Sequence, residues 1–260
     1  MATLGSDSGI SPPHDARQRG DLCAAPPPGS LWRLEHDLDA YSTPRGSGLA
    51  TQIRAGRRLR VLEPSSTTQP RRVRVRLRED GYPCWLDSQD LIRHGHPTAA
   101  APARAWNRSQ IAPRLEAVLA FAQAAMARPN VYLWGGTLGP DFDCSGLVQT
   151  AFAEQGIWLP RDAYLQERFC SPVALRVGQI ERLEPGDLIF FGTARRCTHV
   201  GLHLGGGRYL HSSGREHGRN GIGIDDLHPR NTDPVARHYR LELRGAGRVM
   251  HSHDGSPLPP

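Results

Sequence analysis

Two alternating runs close around three glycines: Thr198-His199-Val200-Gly201-Leu202-His203-Leu204, then Gly205-Gly206-Gly207, then Arg208-Tyr209-Leu210-His211-Ser212-Ser213. Alternation with a period of two marks strands with one buried face, and glycines between two such runs mark a hairpin. The second half of the chain must therefore build an antiparallel sheet. With the three glycines as the loop, Leu204 pairs with Arg208, Gly201 opposes His211, and His199 opposes Ser213. Val200, Leu202, Leu204 and Leu210 then face a core, while His199 and His211 are diagonal neighbours on the other face. A two-residue loop would shift the register by one and separate the histidines. The spacing allows the histidine pair without requiring it.

Asp143-Cys144-Ser145-Gly146-Leu147 follows a turn-rich run from Trp134 to Asp141. It opens an apolar stripe of Leu147, Val148, Ala151 and Phe152 at helical spacing, with Gly156 beyond it as a left-handed cap. Cys144 thus falls in the first turn of a predicted helix, where unpaired N–H groups and the macrodipole favour a thiolate. A free cysteine is also simply a small hydrophobe, and Asp143 at a helix start has an ordinary reading as an N-cap.

Composition bounds what else the chain can be. Its 260 residues suffice for one large or two modest domains. Residues 1–30 are rich in Pro, Gly, Ser and Asp and lack an apolar core, which predicts disorder, no export signal and a cytoplasmic protein. No apolar run approaches a membrane span, so no membrane partner is expected. Five cysteines in spacings that suit no zinc motif predict thiols and no bound metal, with Cys23, Cys84, Cys170 and Cys197 carrying no function. A net charge of +6 raises nucleic-acid binding. The densest basic run, Arg71 to Arg78, puts Val73, Val75 and Leu77 on one face and arginines on the other. That describes a half-buried strand with a solvated face. No recognition helix, stacking pattern or zinc-finger spacing accompanies it, and nucleic acid is set aside.

In chain order, strand-like runs at Arg33–Leu38, Gln52–Leu62, Arg72–Arg78 and Pro83–Leu86 predict a small β-barrel over residues 31–96. Residues 97–108 read as a Pro/Ala linker. A helix is expected from Ser109, its N-cap, to Ala127, and a shorter one after Leu159-Pro160-Arg161-Asp162-Ala163, where Asp162 suits a cap. Leu188–Phe191 reads as a strand feeding the hairpin. Gly221–Ile224 and Ala236–Leu243 read as closing strands, and residues 246–260 as a loose tail.

The cysteine stretch, then His199-Val200-Gly201-Leu202, then His211 in the next strand, together resemble the NlpC-type cysteine peptidases of bacteria, over roughly residues 109–245. The resemblance implies an α+β, papain-like catalytic domain whose antiparallel sheet packs on the cysteine helix. It implies that Cys144 attacks, His199 is the base and His211 orients it, without metal or other cofactor. The Cys144 backbone N–H and the Tyr132 hydroxyl are the implied oxyanion donors, and Tyr132, Trp134, Ser145 and Asp162 the implied substrate contacts. Several relatives carry Ser where this chain has Ala163. Gly81-Tyr82-Pro83-Cys84-Trp85-Leu86 resembles the last strands of bacterial SH3 domains, which often precede such catalytic domains. In relatives of that build, residues matching Tyr82 and Asp143 enclose a free N-terminal L-alanine. The substrate implied is a peptidoglycan stem peptide, cut between γ-D-glutamate and a diamino acid, during recycling of wall fragments. Two other readings compete. A thiol amidase or acyltransferase would want an apolar groove or membrane anchor, and neither is visible. A non-catalytic binder of wall peptide would have no use for a Cys–His–His set.

Overall fold

The computed structural model describes residues 26–63, 72–101 and 106–257. The disorder expected for residues 1–30 lies outside these up to residue 25. Strands β1 (Leu31–Leu34), β2 (Leu38–Tyr41), β3 (Leu49–Ile53), β4 (Arg58–Glu63), β5 (Arg72–Leu77) and β6 (Pro83–Asp87) precede helix α1 (Ser88–His94) and strand β7 (Gly95–Pro97). They form one SH3-like antiparallel sheet in the order β3-β2-β6-β5-β4-β1-β7. The alternation in β5 buries Val73, Val75 and Leu77 completely. Its arginines turn outward, Arg72 over the Tyr41 ring and Arg74 to Glu63 at 3.0 Å. Two of the expected strands are each split by a turn, at residues 35–37 and around Gly56, whose φ is +88°. Strand β7, which pairs with β1, takes in only Pro97 of the expected linker, and residues 102–105 of that linker lie outside the described residues.

The second unit begins with α2 (Arg108–Ile111) and α3 (Leu115–Met126), joined by a 3-10 turn at Ala112–Arg114. Asn107, not Ser109, is the cap: it accepts from the Gln110 N–H, and the Gln110 side chain accepts from the Asn107 N–H. Then come α4 (Cys144–Ala153), α5 (Ala163–Phe169), β8 (Ser171–Val173), β9 (Leu188–Gly192), β10 (Cys197–Gly205), β11 (Arg208–Ser213), β12 (Gly221–Asp226), α6 (Pro234–Leu241) and β13 (Leu243–Arg248). The sheet runs β12-β11-β10-β9-β13-β8. Its strand β9 is buried throughout: Leu188 and Phe190 join the core with α3 and α4, while Ile189 and Phe191 join a second core with α6.

Two expectations fail here for local reasons. Ala236–Leu241 is not a closing strand but part of α6: Asp233 accepts from the Val235 and Ala236 N–H groups, Pro234 occupies the first turn, and Val235, Ala236 and Tyr239 form the buried face. The closing strand is β13. The tail is not loose either over its described residues, up to residue 257. Ser252 and His253 are buried, their N–H groups donating to Trp106 O at 2.9 Å and Trp158 O at 2.7 Å. Next along, Gly255 packs so tightly on Arg78 of the barrel that a Cβ would meet its carbonyl.

The units meet along a hydrogen-bonded seam. The Thr137 hydroxyl donates to Gln52 O at 2.7 Å, Gln149 donates to Asp80 at 2.9 Å, and Arg161 donates to the Thr51 hydroxyl at 3.0 Å. Gly135, at φ +82°, lies against Leu49 with no room for a side chain, which lets the loop before α4 touch the barrel. Among the described residues no helix is long and apolar enough to cross a membrane.

Candidate active site

The hairpin places the histidines. Leu202 pairs with Leu210 and His203 with Tyr209, the register expected, but Arg208 faces Gly205 rather than Leu204. The turn itself is only Gly206-Gly207, both at positive φ, and a bulge at Leu204 absorbs the odd residue. The bulge keeps the two histidines on one face despite the shorter loop. His199 Nε2 lies 2.7 Å from His211 Nδ1.

Cys144 begins α4 and His199 sits near the start of β10; both line a cavity of about 630 Å³. Tyr82, Tyr132, Trp134, Asp143, Ser145 and Asp162 share its wall, so the structure gathers every expected site residue except His211, which lies fully buried behind His199. Trp134 stands at the rim, 71% exposed. Tyr82 extends from the barrel, and its hydroxyl donates to Asp162 at 3.4 Å. Asp162 makes no cap bond to α5, although a cap was one expectation for it. Arg196 also lines the cavity, its guanidinium 4.1 Å above the Tyr164 ring; among the described residues no carboxylate ion-pairs with it.

Asp143 does cap α4, accepting from the Gly146 N–H at 2.6 Å. Its other contacts bear on the expectation that it meets a substrate ammonium. Arg161, buried to 2%, donates to its Oδ1 at 3.1 Å and Oδ2 at 2.6 Å, and the Gly135 N–H donates to Oδ2 at 2.8 Å. Ser145 is also engaged, donating to Asp143 at 3.3 Å and accepting from Arg161 at 3.0 Å. The negative charge is already matched by a guanidinium fixed across the domain seam.

The helix start favours a thiolate less than expected. Burial pushes the Cys144 thiol up to about 12, and Asp143 adds to this; the Val200 and Ser145 N–H groups at the sulfur pull only part of the way back. Burial likewise holds His199 well below its ordinary 6.5, helped by His211, His217 and His238. Both shifts act in one direction, toward a thiol beside a neutral imidazole and against an ion pair. Burial also raises the Tyr132 hydroxyl, with Cys144 next in effect, so it stays a donor. Of the other described cysteines, Cys84, Cys170 and Cys197 are buried and raised in the same way.

Three neighbours escaped the sequence reading. Tyr239 of α6 stacks on the His199 ring, centroids 4.2 Å apart, and its hydroxyl meets the Ser213 hydroxyl at 2.8 Å. Asp225 lies 2.6 Å from His211 Nε2, and Arg219 donates to both Asp225 oxygens at 2.8 Å. The signal for Asp225 was the alternation of β12, which puts it two residues from Gly223, the partner of His211. No cluster of three His, Cys, Asp or Glu among the described residues is arranged to hold a metal ion.

Comparison with known proteins gives two matches along the chain. Residues 129–240 match the NlpC/P60 family, and residues 40–91 match the bacterial dipeptidyl-peptidase Sh3 domain. The chain is 42% identical over 84 residues to the gamma-D-glutamyl-L-lysine dipeptidyl-peptidase of Bacillus subtilis, covering 31% of this chain and 27% of that protein. It is 40% identical over 123 residues to the bifunctional muramidase/DL-endopeptidase CwlT of the same organism, covering 45% and 32%. A solved NlpC/P60 family protein from Bacillus cereus aligns with 85% of this chain and 64% of its own at 24% identity and a TM-score of 0.41. The chain spans about a fifth to a third of the length of the curated relatives it matches.

Proposed function

The chain carries an NlpC/P60 domain behind a bacterial dipeptidyl-peptidase SH3 domain, and from that premise we propose a cysteine peptidase of peptidoglycan-derived peptides. It cuts between γ-D-glutamate and a diamino acid, and it requires a free N-terminal L-alanine. The observation that carries this reading is the single cavity in which barrel residue Tyr82 faces Asp162 across from Cys144 and His199.

His199 takes the Cys144 thiol proton as the sulfur bonds to the γ-carbonyl carbon and the carbonyl electron pair moves onto oxygen. The Cys144 N–H, at the first turn of α4, and the Tyr132 hydroxyl stabilise that oxyanion. His199 then gives the proton to the leaving amine, the C–N bond breaks, and water hydrolyses the thioester. His211 holds the base in place. With Asp143 paired to Arg161, the L-alanine ammonium is placed against Asp162, which sits beside Tyr82 and makes no ion pair among the described residues; burial pushes its carboxyl up and the Arg161 and Arg196 charges pull it back, and Glu216 and Glu242 share the same cavity. Tyr82 closes the cavity beyond that amine and excludes longer chains. Arg196 is the cation free to take the α-carboxylate of D-glutamate, where Ala163 offers no hydroxyl. This selectivity suits released wall fragments and their recycling.

The test is cleavage of L-Ala-γ-D-Glu-diaminopimelate against its N-acetylated form, read by mass spectrometry, in wild type and Asp162→Asn. Strong wild-type preference for the free amine, reduced in the variant, is expected. Equal cleavage of both peptides by the wild type removes the free-amine requirement, and cleavage of neither removes the substrate class.

A further inference from the structure

We propose that Asp225, with Arg219, is a positioning pair that sets the tautomers of both histidines, so that His199 presents a lone pair and not an N–H to the Cys144 thiol. The inference rests on reading Cys144 and His199 as nucleophile and base. It follows from which atoms are able to donate. An ionised carboxylate only accepts, so the 2.6 Å contact with Asp225 places a proton on His211 Nε2. A neutral His211 then has a bare Nδ1, which must accept at 2.7 Å from a proton on His199 Nε2. His199 Nδ1 is left as the basic nitrogen, on the one ring of the pair that lines the cavity with Cys144. Reversing any link turns an N–H toward the thiol and removes the base.

Arg219 keeps this direction fixed. Burial pushes the Asp225 carboxyl up, yet the His211 hydrogen bond and the Arg219 charge outweigh it and hold the group below its ordinary 3.8. The guanidinium reaches it by lying across Gly223, where a Cβ would sit 1.9 Å from its Nη1. The pair is faced by Tyr209 on its own sheet, by Tyr239 and His238 from α6, by His217 from the turn before β12, and by Cys144 from α4. Glu216 and Glu242 line the same cavity but pair with His217 and His238, and among the described residues only Asp225 ion-pairs with either histidine of the pair.

The sharpest probe is Asp225→Asn, alone and with Arg219→Met. Beside Arg219 the new amide turns its oxygen to the guanidinium and its NH₂ to His211 Nε2, which reverses both tautomers. The rate at pH 7 should fall by roughly 10²–10⁴, as for the analogous carboxamide in a serine triad. The loss should shrink steadily up to about pH 10, since thiolate then forms without the base as pH climbs toward the thiol's own ionisation. Adding Arg219→Met frees the amide to rotate, and the double variant should be about tenfold or more faster than Asp225→Asn. A pH-independent loss, or a double variant slower than Asp225→Asn, overturns the proposal. Should Asp225→Asn fail to melt cooperatively, Arg219→Met alone decides. Losing its positive charge raises the pKa of Asp225 and of His211, so the acid limb of the rate profile must move to higher pH; an unmoved limb overturns the proposal. Activity surviving Cys144→Ala would instead sink the nucleophile assignment beneath it.

Discussion

Arg161→Met tests whether the buried ion pair at the head of α4 holds the two units together. Arg161 makes four hydrogen bonds: two to Asp143 at 3.1 and 2.6 Å, one to Ser145 at 3.0 Å and one to Thr51 of β3 at 3.0 Å. Methionine of similar length fills the space but leaves the Asp143 carboxylate with only the Gly135 and Gly146 N–H groups and the Ser145 hydroxyl. Removing one partner of a buried pair costs about 3–5 kcal/mol, most of it from the uncompensated charge. At about 2–4 °C per kcal/mol for a chain of this size, the melting temperature should fall by roughly 6–20 °C. Asp143→Asn combined with Arg161→Met removes both charges, and the amide still caps α4, so the double variant should be the more stable of the two. Urea unfolding followed by tryptophan fluorescence, together with calorimetry, reads both numbers. A cost for Arg161→Met below about 1 kcal/mol, typical of an exposed pair, would refute the reasoning. So would a double variant less stable than Arg161→Met.

Cys144→Ala should abolish cleavage with an unchanged melting temperature, and iodoacetamide should label Cys144 before the other cysteines, because His199 shares its cavity; intact activity in the variant is the disproving result. His199→Ala should lose about 10²–10⁴ in kcat and more than His211→Ala, since only the base meets the reacting proton in both half-reactions; the reverse order in a peptide-cleavage assay would exchange their roles. Burial lowers both His199 and His211, so below 6.5 the unfolded chain binds protons that the folded one does not. Stability should therefore hold above about pH 7 and fall as pH drops through about 6.5, by up to ~1.4 kcal/mol per pH unit for each group. Melting temperatures that stay level from about pH 7 to about pH 5 would contradict this.

The sequence by itself determined the elements whose signal is local. The alternation in Val73, Val75 and Leu77 and in Val200, Leu202 and Leu210 fixed strand faces, because a pleated strand repeats every two residues. The stripe behind Cys144 and the acid before it fixed a capped helix start, because caps act within three residues. Where local signals conflicted, the reading slipped. Ala236–Leu241 has too short an apolar face, Val235, Ala236 and Tyr239, to show a helical period, and its helix start is set by the Asp233 cap and Pro234 just before it. Tertiary structure alone decided the rest. Asp143 is silent in sequence about Arg161, 18 residues away, and His211 about Asp225, 14 residues away. The tail found its partners on Trp106, Trp158 and Arg78. The upward push on the Cys144 thiol comes from the depth to which it is buried. Charge pairing and desolvation depend on which distant side chains meet and how much water they exclude, and neither leaves a period in the chain.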